Sequence, residues 1–256
     1  MSTRKDPVGD RFYKPLRRLE TARDFLFYVA AILSFTIVLI SASHADVLPA
    51  LQITFLVVAL AAFVLGLISA LHLAPKAEDE RRRDLLTNTH SVPLTENGSV
   101  GYFNTDQTNP IRRLASAIAE SSFFTREISE KMLPKVRIEA ACFVLGWLVL
   151  VLVRSVDLSW ITVAAQVVFS EQIISKWLRL EWLRDRSDRA FTGVTRLAMN
   201  AATFSKPASH AQILECFAEY ETAKARASIL LSDRIFRRHN SALSAEWERI
   251  RGTHNL

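Results

Sequence analysis

The sequence predicts an all-α membrane protein, four spanning helices with a helical cytoplasmic portion, and three observations carry that fold class. Half of the 256 residues are hydrophobic, although 23% are charged. The two kinds are segregated: residues 25–42, 47–74, 140–153 and 158–174 hold almost no charge, and the remainder is dense in it. Apolar runs of this kind read as crossings of a bilayer core about 30 Å thick. Outside them, apolar residues recur with the 3.6 period of a helix.

Charge orients the spans. Lys and Arg number seven in residues 1–24, ten in 75–137 and fourteen in 175–256, and only Arg154 lies elsewhere. By the positive-inside rule, the turns at 43–46 and 154–157 are outside and both termini cytoplasmic. The net charge of +6 and the pI near 9.6 suit that bias, or a polyanion ligand. Cys142 and Cys216 make neither a disulfide framework nor a metal site. The basic N-terminal segment is too long for a cleavable signal.

Taken in order, residues 1–24 form a basic cytoplasmic segment. Leu16, Leu19 and Ala22 suggest a short amphipathic helix along the membrane surface. Residues 25–74 are the first span pair. Phe25–Ala42 is 18 residues without charge, just enough at about 1.5 Å per residue. The longer Val47–Ala74 has Ala62, Gly66 and Ala70 on one face, where small side chains let helices approach.

Residues 75–137 form a cytoplasmic insert. PKAEDERRRDLL reads as a charged helix. Asn97-Gly98 reads as the turn of a small hairpin or as part of a loop. A helix follows, started by Pro110 and ended before Pro134. Its stripe is Ile111, Leu114, Ala115 and Ile118, continued by Phe124, Ile128 and Met132.

Residues 138–174 are the second span pair. Ala140–Val153 is 14 residues, short for a span, so Glu139 and Arg154 belong near the interfaces. Leu158–Ile174 returns inward, with Trp147 and Trp160 as interfacial or protein-facing anchors. Residues 175–256 form the C-terminal cytoplasmic helices. The first has Trp177, Leu180 and Leu183 on its apolar side. The second is capped by Ser209 with Gln212 completing the box. The third is capped by Ser232-Asp233, with Leu243, Trp247 and Ile250 on one face.

No catalytic constellation occurs. There is no Gly-rich phosphate loop, no nucleophile elbow, and no metal-ligand spacing among the six histidines. The chain reads as a non-enzyme without cofactor or metal. Two polar features stand out. Thr162, Gln166 and Ser170, with Ser159 and Glu171 beside them, make a polar stripe in the last span. Such a stripe faces water as a pore lining, or bonds a neighbouring helix. Arranged around an axis, Glu171 would form a carboxylate ring at the cytoplasmic mouth. The second feature is basic: Arg184, Arg186, Arg189, Arg237 and Arg238, with Phe236 as a stacking ring, are candidates for nucleotide binding, or ordinary solvated faces.

The order of two spans, an insert with TNPIRRLASAI, a close span pair, and a tail ECFAEYETAKA…SDRIF…LSAEWERIR resembles the four-transmembrane pore-forming effectors of bacterial antiphage nucleotide-signalling systems. The Hailong-type transmembrane effectors are among them. Asn109, Arg113, Tyr220, Glu221, Phe236, Leu243 and Trp247 carry the resemblance. It implies a symmetric homo-oligomeric ion channel of the bacterial inner membrane, a tetramer by preference, acting in abortive infection. It also implies gating by the product of a partner nucleotidyltransferase, either a single-stranded DNA oligomer or a cyclic nucleotide. The rival expectation is a non-conducting membrane scaffold that recruits a protein through its cytoplasmic helices.

Overall fold

The computed structural model describes residues 6–40, 46–96, 98–99, 107–152, 157–168, 171–199, 204, 206–254 and 256. Among them all regular structure is helical and no strand occurs. The α-helices are α1 (Lys14–Ile40), α2 (Leu48–Ile68), α3 (Ala74–His90), α4 (Pro110–Leu152), α5 (Leu158–Val168), α6 (Lys176–Ala198), α7 (Pro207–Ala227) and α8 (Asp233–His254). π-Helical turns occupy Gly9–Tyr13, Ser69–Leu73 and Glu171–Ser175. Among the described residues, three helical segments are long and apolar enough to cross a membrane: Gly9–Ile40, Leu48–His90 and Leu158–Ala198.

Four local expectations are corrected. No separate surface helix precedes the first span, because α1 runs unbroken from Lys14 to Ile40. Nothing between Pro15 and Ile40 breaks a helix, and propagation adds one hydrogen bond per residue fixed. Pro134 does not end its helix either: α4 continues through it for 43 residues in all. A proline ring fits helical φ, and its cost is one missing donor and a clash one turn back. The hairpin at Asn97-Gly98 has no strand on its described flanks, and Asn97 itself lies outside the described residues. Instead Ser99 folds back, donating its N–H (2.8 Å) and hydroxyl (2.7 Å) to the buried Asp84. Finally, Ser209 is inside α7 rather than its cap. Lys206 is the extended residue before it, and Pro207 takes the first turn, where its lack of an N–H costs nothing.

The chain separates into two compact units. One gathers the described residues of Met1–Lys14, Pro75–Leu133 and Arg179–Leu256; the other is Pro15–Ala74 with Pro134–Leu178. The chain passes between them at four points, and each lies within a few residues of a helix irregularity: the three π turns and Pro134. Such irregularities are where helices bend.

The first unit has a closed core. Leu114, Ala115, Ile118 and Phe123 of α4, Val194 of α6 and Ile213 of α7 are fully buried; the first three follow the predicted stripe, whereas Phe123 takes the fully buried place expected of Phe124, which is half-buried. The Phe123 ring lies 5.5 Å from Phe124, 5.8 Å from Phe191 and 6.0 Å from Trp247. The starts of α4 and α8 are capped by side chains. Asn109 Oδ1 accepts from the N–H groups of Ile111 (2.9 Å) and Arg112 (3.3 Å), and Ser232 Oγ from that of Ile235 at 3.4 Å. Arg113 donates to the Asn88 carbonyl and to Ser91 Oγ, placing positive charge on the end of α3, where a helix dipole favours it.

The second unit is organised around α1. Glu20 accepts from Ser69 in the π turn after α2 (2.7 Å). Asp24 pairs with Lys176 at 3.2 Å. Tyr28 donates to Glu139 on α4. Phe35 stacks on Trp160 of α5 at 6.1 Å, which makes Trp160 protein-facing. Of the small residues on α2, Ala62 and Gly66 are half-buried and Ala70 exposed. Arg23 Cδ lies 3.6 Å from where a Cβ on Gly66 would stand. The π turn starts at Ser69 and shifts the register, so Ser69 replaces Ala70 as the buried contact.

Candidate functional site

α5 is two-faced. Ala164 and Val167 are buried (5% and 6% exposed), while Ser159, Thr162 and Gln166 are exposed. The exposed set recurs at three- and four-residue spacing, which puts it on one face. Thr162 donates its hydroxyl to the Leu158 carbonyl at 2.9 Å, a bond that satisfies the donor within the helix. Ser159, Thr162 and Gln166 therefore are not packed against the chain's own helices. Ser170 and the side chain of Glu171 lie outside the described residues; the Glu171 backbone opens the π turn Glu171–Ser175.

The basic candidates divide into two groups. On α6, Arg184 pairs with Glu130 at 3.5 Å and Arg189 with Asp185 at 2.9 Å. Arg186 sits over the Trp182 ring at 5.7 Å. Arg237 and Arg238 on α8 are exposed, as is Arg234 one turn earlier. Three cations within two turns, at the positive end of a helix dipole, is an arrangement the helix itself disfavours. Phe236 is half-buried and packs against the core, its ring 6.0 Å from Phe124.

The residues that carry the family resemblance serve the scaffold. Asn109 caps α4, Arg113 clamps α3, and Leu243 and Trp247 are buried at 3% and 1% exposure. Tyr220 and Glu221 belong to a buried polar cluster. The Tyr220 oxygen receives the Thr125 hydroxyl at 2.8 Å and donates to the Ser121 carbonyl at 3.0 Å. Burial pushes its phenol well above the usual range, against the opposing pull of Lys224. Lys224 bridges Glu221 at 2.9 Å and Glu78 at 3.5 Å, and Tyr13 donates to Glu78 at 3.2 Å. Burial pulls the Lys224 ammonium down, but the two carboxylates outweigh it and hold the ammonium well above its usual value.

Several of these polar partners are not apparent from sequence. Glu20, Asp24 and Tyr28 recur every fourth residue into the first span, which is the available signal. Their partners are 49, 152 and 111 residues away, which no local pattern reveals. Among the described residues no cluster of three His, Cys, Asp or Glu could hold a metal ion. Comparison of the chain with protein-family models, curated proteins and solved structures returned no match.

Proposed function

We propose that the chain is one subunit of a homo-oligomeric pore in the bacterial inner membrane, an antiphage effector gated by a nucleotide signal. It has four spans, with both termini in the cytoplasm. The observation that carries the reading is the exposed polar face of α5. Polar side chains turned to lipid are costly, and Ala164 and Val167 already occupy the face turned inward. Copies arranged around an axis, four by the resemblance, would turn Thr162 and Gln166 to a water-filled lumen. In the sequence Ser170 follows Gln166 at the same four-residue spacing, with Glu171 next to it. α4 from Ala140 to Leu152 is the remaining crossing. Its 13 residues cover about 20 Å, a shortfall met by bilayer thinning and snorkelling of flanking charges.

The gating ligand is a product of a partner nucleotidyltransferase, either a single-stranded DNA oligomer or a cyclic nucleotide. A phosphate-bearing chain suits the exposed Arg237 and Arg238, whose charges favour phosphate oxygens. The engaged Arg184, Arg186 and Arg189 would have to exchange partners to take part.

The test is ion flux through liposomes containing the purified chain, with and without nucleotide. Flux that changes when nucleotide is added or removed is the expected outcome. Liposomes sealed under both conditions, with the helical fold intact, would overturn the pore and leave a non-conducting scaffold.

A further inference from the structure

α7 carries an open groove of about 490 Å³ against α3, remote in sequence from both basic candidates. Its floor is two adjacent rows of α7: Phe217, Glu221 and Ala225, and Ala218, Thr222 and Arg226, with Arg82 of α3 along the opposite side. Residues four apart stack on one helix face, so each row spans a little over two turns. The alanines keep the floor open. Leu214, one turn before Ala218, is 49% exposed and extends the apolar surface.

The polar groups are placed unlike a solvated face. Arg226 is exposed, and Arg82 pairs with Asp79 at 2.6 Å, both about half exposed. Glu221 is 9% exposed, pinned by Lys224 at 2.9 Å, and a carboxylate is acceptor-only. The groove thus offers two guanidinium forks, a flat apolar floor edged by Phe217, a hydroxyl and one buried acceptor. We infer that it binds a nucleotide unit. The phosphate lies between Arg82 and Arg226, the base covers Phe217 and the alanines, and a base N–H donates to Glu221. The inference rests on the nucleotide-gated reading above and assigns it a site.

The experiment is titration of the full-length chain in detergent with ATP and with a ten-residue single-stranded oligothymidylate. Inorganic tripolyphosphate is the ring-less control. Arg226→Glu removes a fork, and Ala225→Trp fills the groove from an exposed position without touching the Lys224 pair. Each should weaken nucleotide binding at least about tenfold, roughly the loss of one good charged contact. Arg249→Glu, at an exposed position on α8, should leave it unchanged, and tripolyphosphate should bind at least about tenfold more weakly than ATP. Wild-type affinity in both groove variants, equal binding of tripolyphosphate, or no binding of either nucleotide would each overturn the site. Liposome flux separates the two ideas: nucleotide bound in the groove without flux sinks the pore alone, and flux without groove binding sinks the site alone.

Discussion

Leu178 and Leu180 stand two residues apart on α6, yet Leu178 is 54% exposed and Leu180 1%. The boundary between the two compact units falls between them, and the contrast extends to the whole molecule. Of the exposed large hydrophobic residues among those described, only Val92, Leu94, Met199 and Leu214 lie in the unit that holds α7 and α8. The rest are in the unit built on α1, where Ile32, Ile53, Leu56 and Phe63 are each more than half exposed. That unit also pairs polar groups between its helices, Glu20–Ser69, Asp24–Lys176 and Tyr28–Glu139, with Ser69 buried and the others half-buried or exposed. The difference teaches that the two units are built for different solvents. One hides apolar surface from water; the other turns apolar surface outward and polar groups toward each other, as hydrocarbon demands.

Matched substitutions in the two units sharpen this contrast. The largest effect is expected from Trp247→Ala in the closed core, a loss of about 4 kcal/mol, read as a lowered denaturation midpoint in detergent. Lys224→Met strands Glu221 and Glu78 without their cation and should cost about 3 kcal/mol. Its pH dependence has a definite sign. Lys224 binds its proton more tightly folded than unfolded, so its contribution is complete below the ordinary lysine range and fades as pH rises through the raised folded value. The wild-type midpoint should therefore carry a strongly alkaline decline that is shallower in Lys224→Met, where the raised Tyr220 phenol still contributes. An equal decline in both chains would remove Lys224 as its source.

In the other unit, Leu56→Asp tests the solvent directly. An acidic residue at the centre of a spanning helix costs about 3 kcal/mol of insertion, so a reduced membrane-integrated fraction is expected. Unaltered insertion would mean that Leu56 meets water. Smaller still is Ser232→Ala, about 1 kcal/mol for a lost cap. Leu56→Ala should stay within about 0.5 kcal/mol, against the far larger cost of truncating Trp247; comparable losses would erase the distinction between the units.

Much of this was legible in the sequence because it depends on periodicity. The apolar runs from Phe25 and Val47 correspond to α1 and α2, and the Leu114–Ile118 stripe, Leu243 and Trp247 are buried as their spacing demands. What was not legible depends on distant partners or on the balance of small local terms. Pro134 looks like a terminator, yet α4 is helical on both sides of it. Asn97-Gly98 looks like a hairpin turn, but the buried Asp84 captures Ser99 instead. Phe236 beside two arginines looks like a stacking ring, and the core takes it up. For the polar stripe, spacing alone left two readings. In the structure Ser159, Thr162 and Gln166 are exposed, with Ala164 and Val167 buried on the opposite side of α5.

The most direct measurement of the pore is thiol modification of Gln166→Cys in planar bilayers, on a chain with Cys142 replaced by alanine. A membrane-impermeant methanethiosulfonate reagent should reach a lumen-facing Cys at 166 and change the single-channel conductance, while Leu145→Cys, on an outward apolar surface (61% exposed), stays unmodified. Currents indifferent to modification at 166, or no currents at all from a folded chain, would contradict the account.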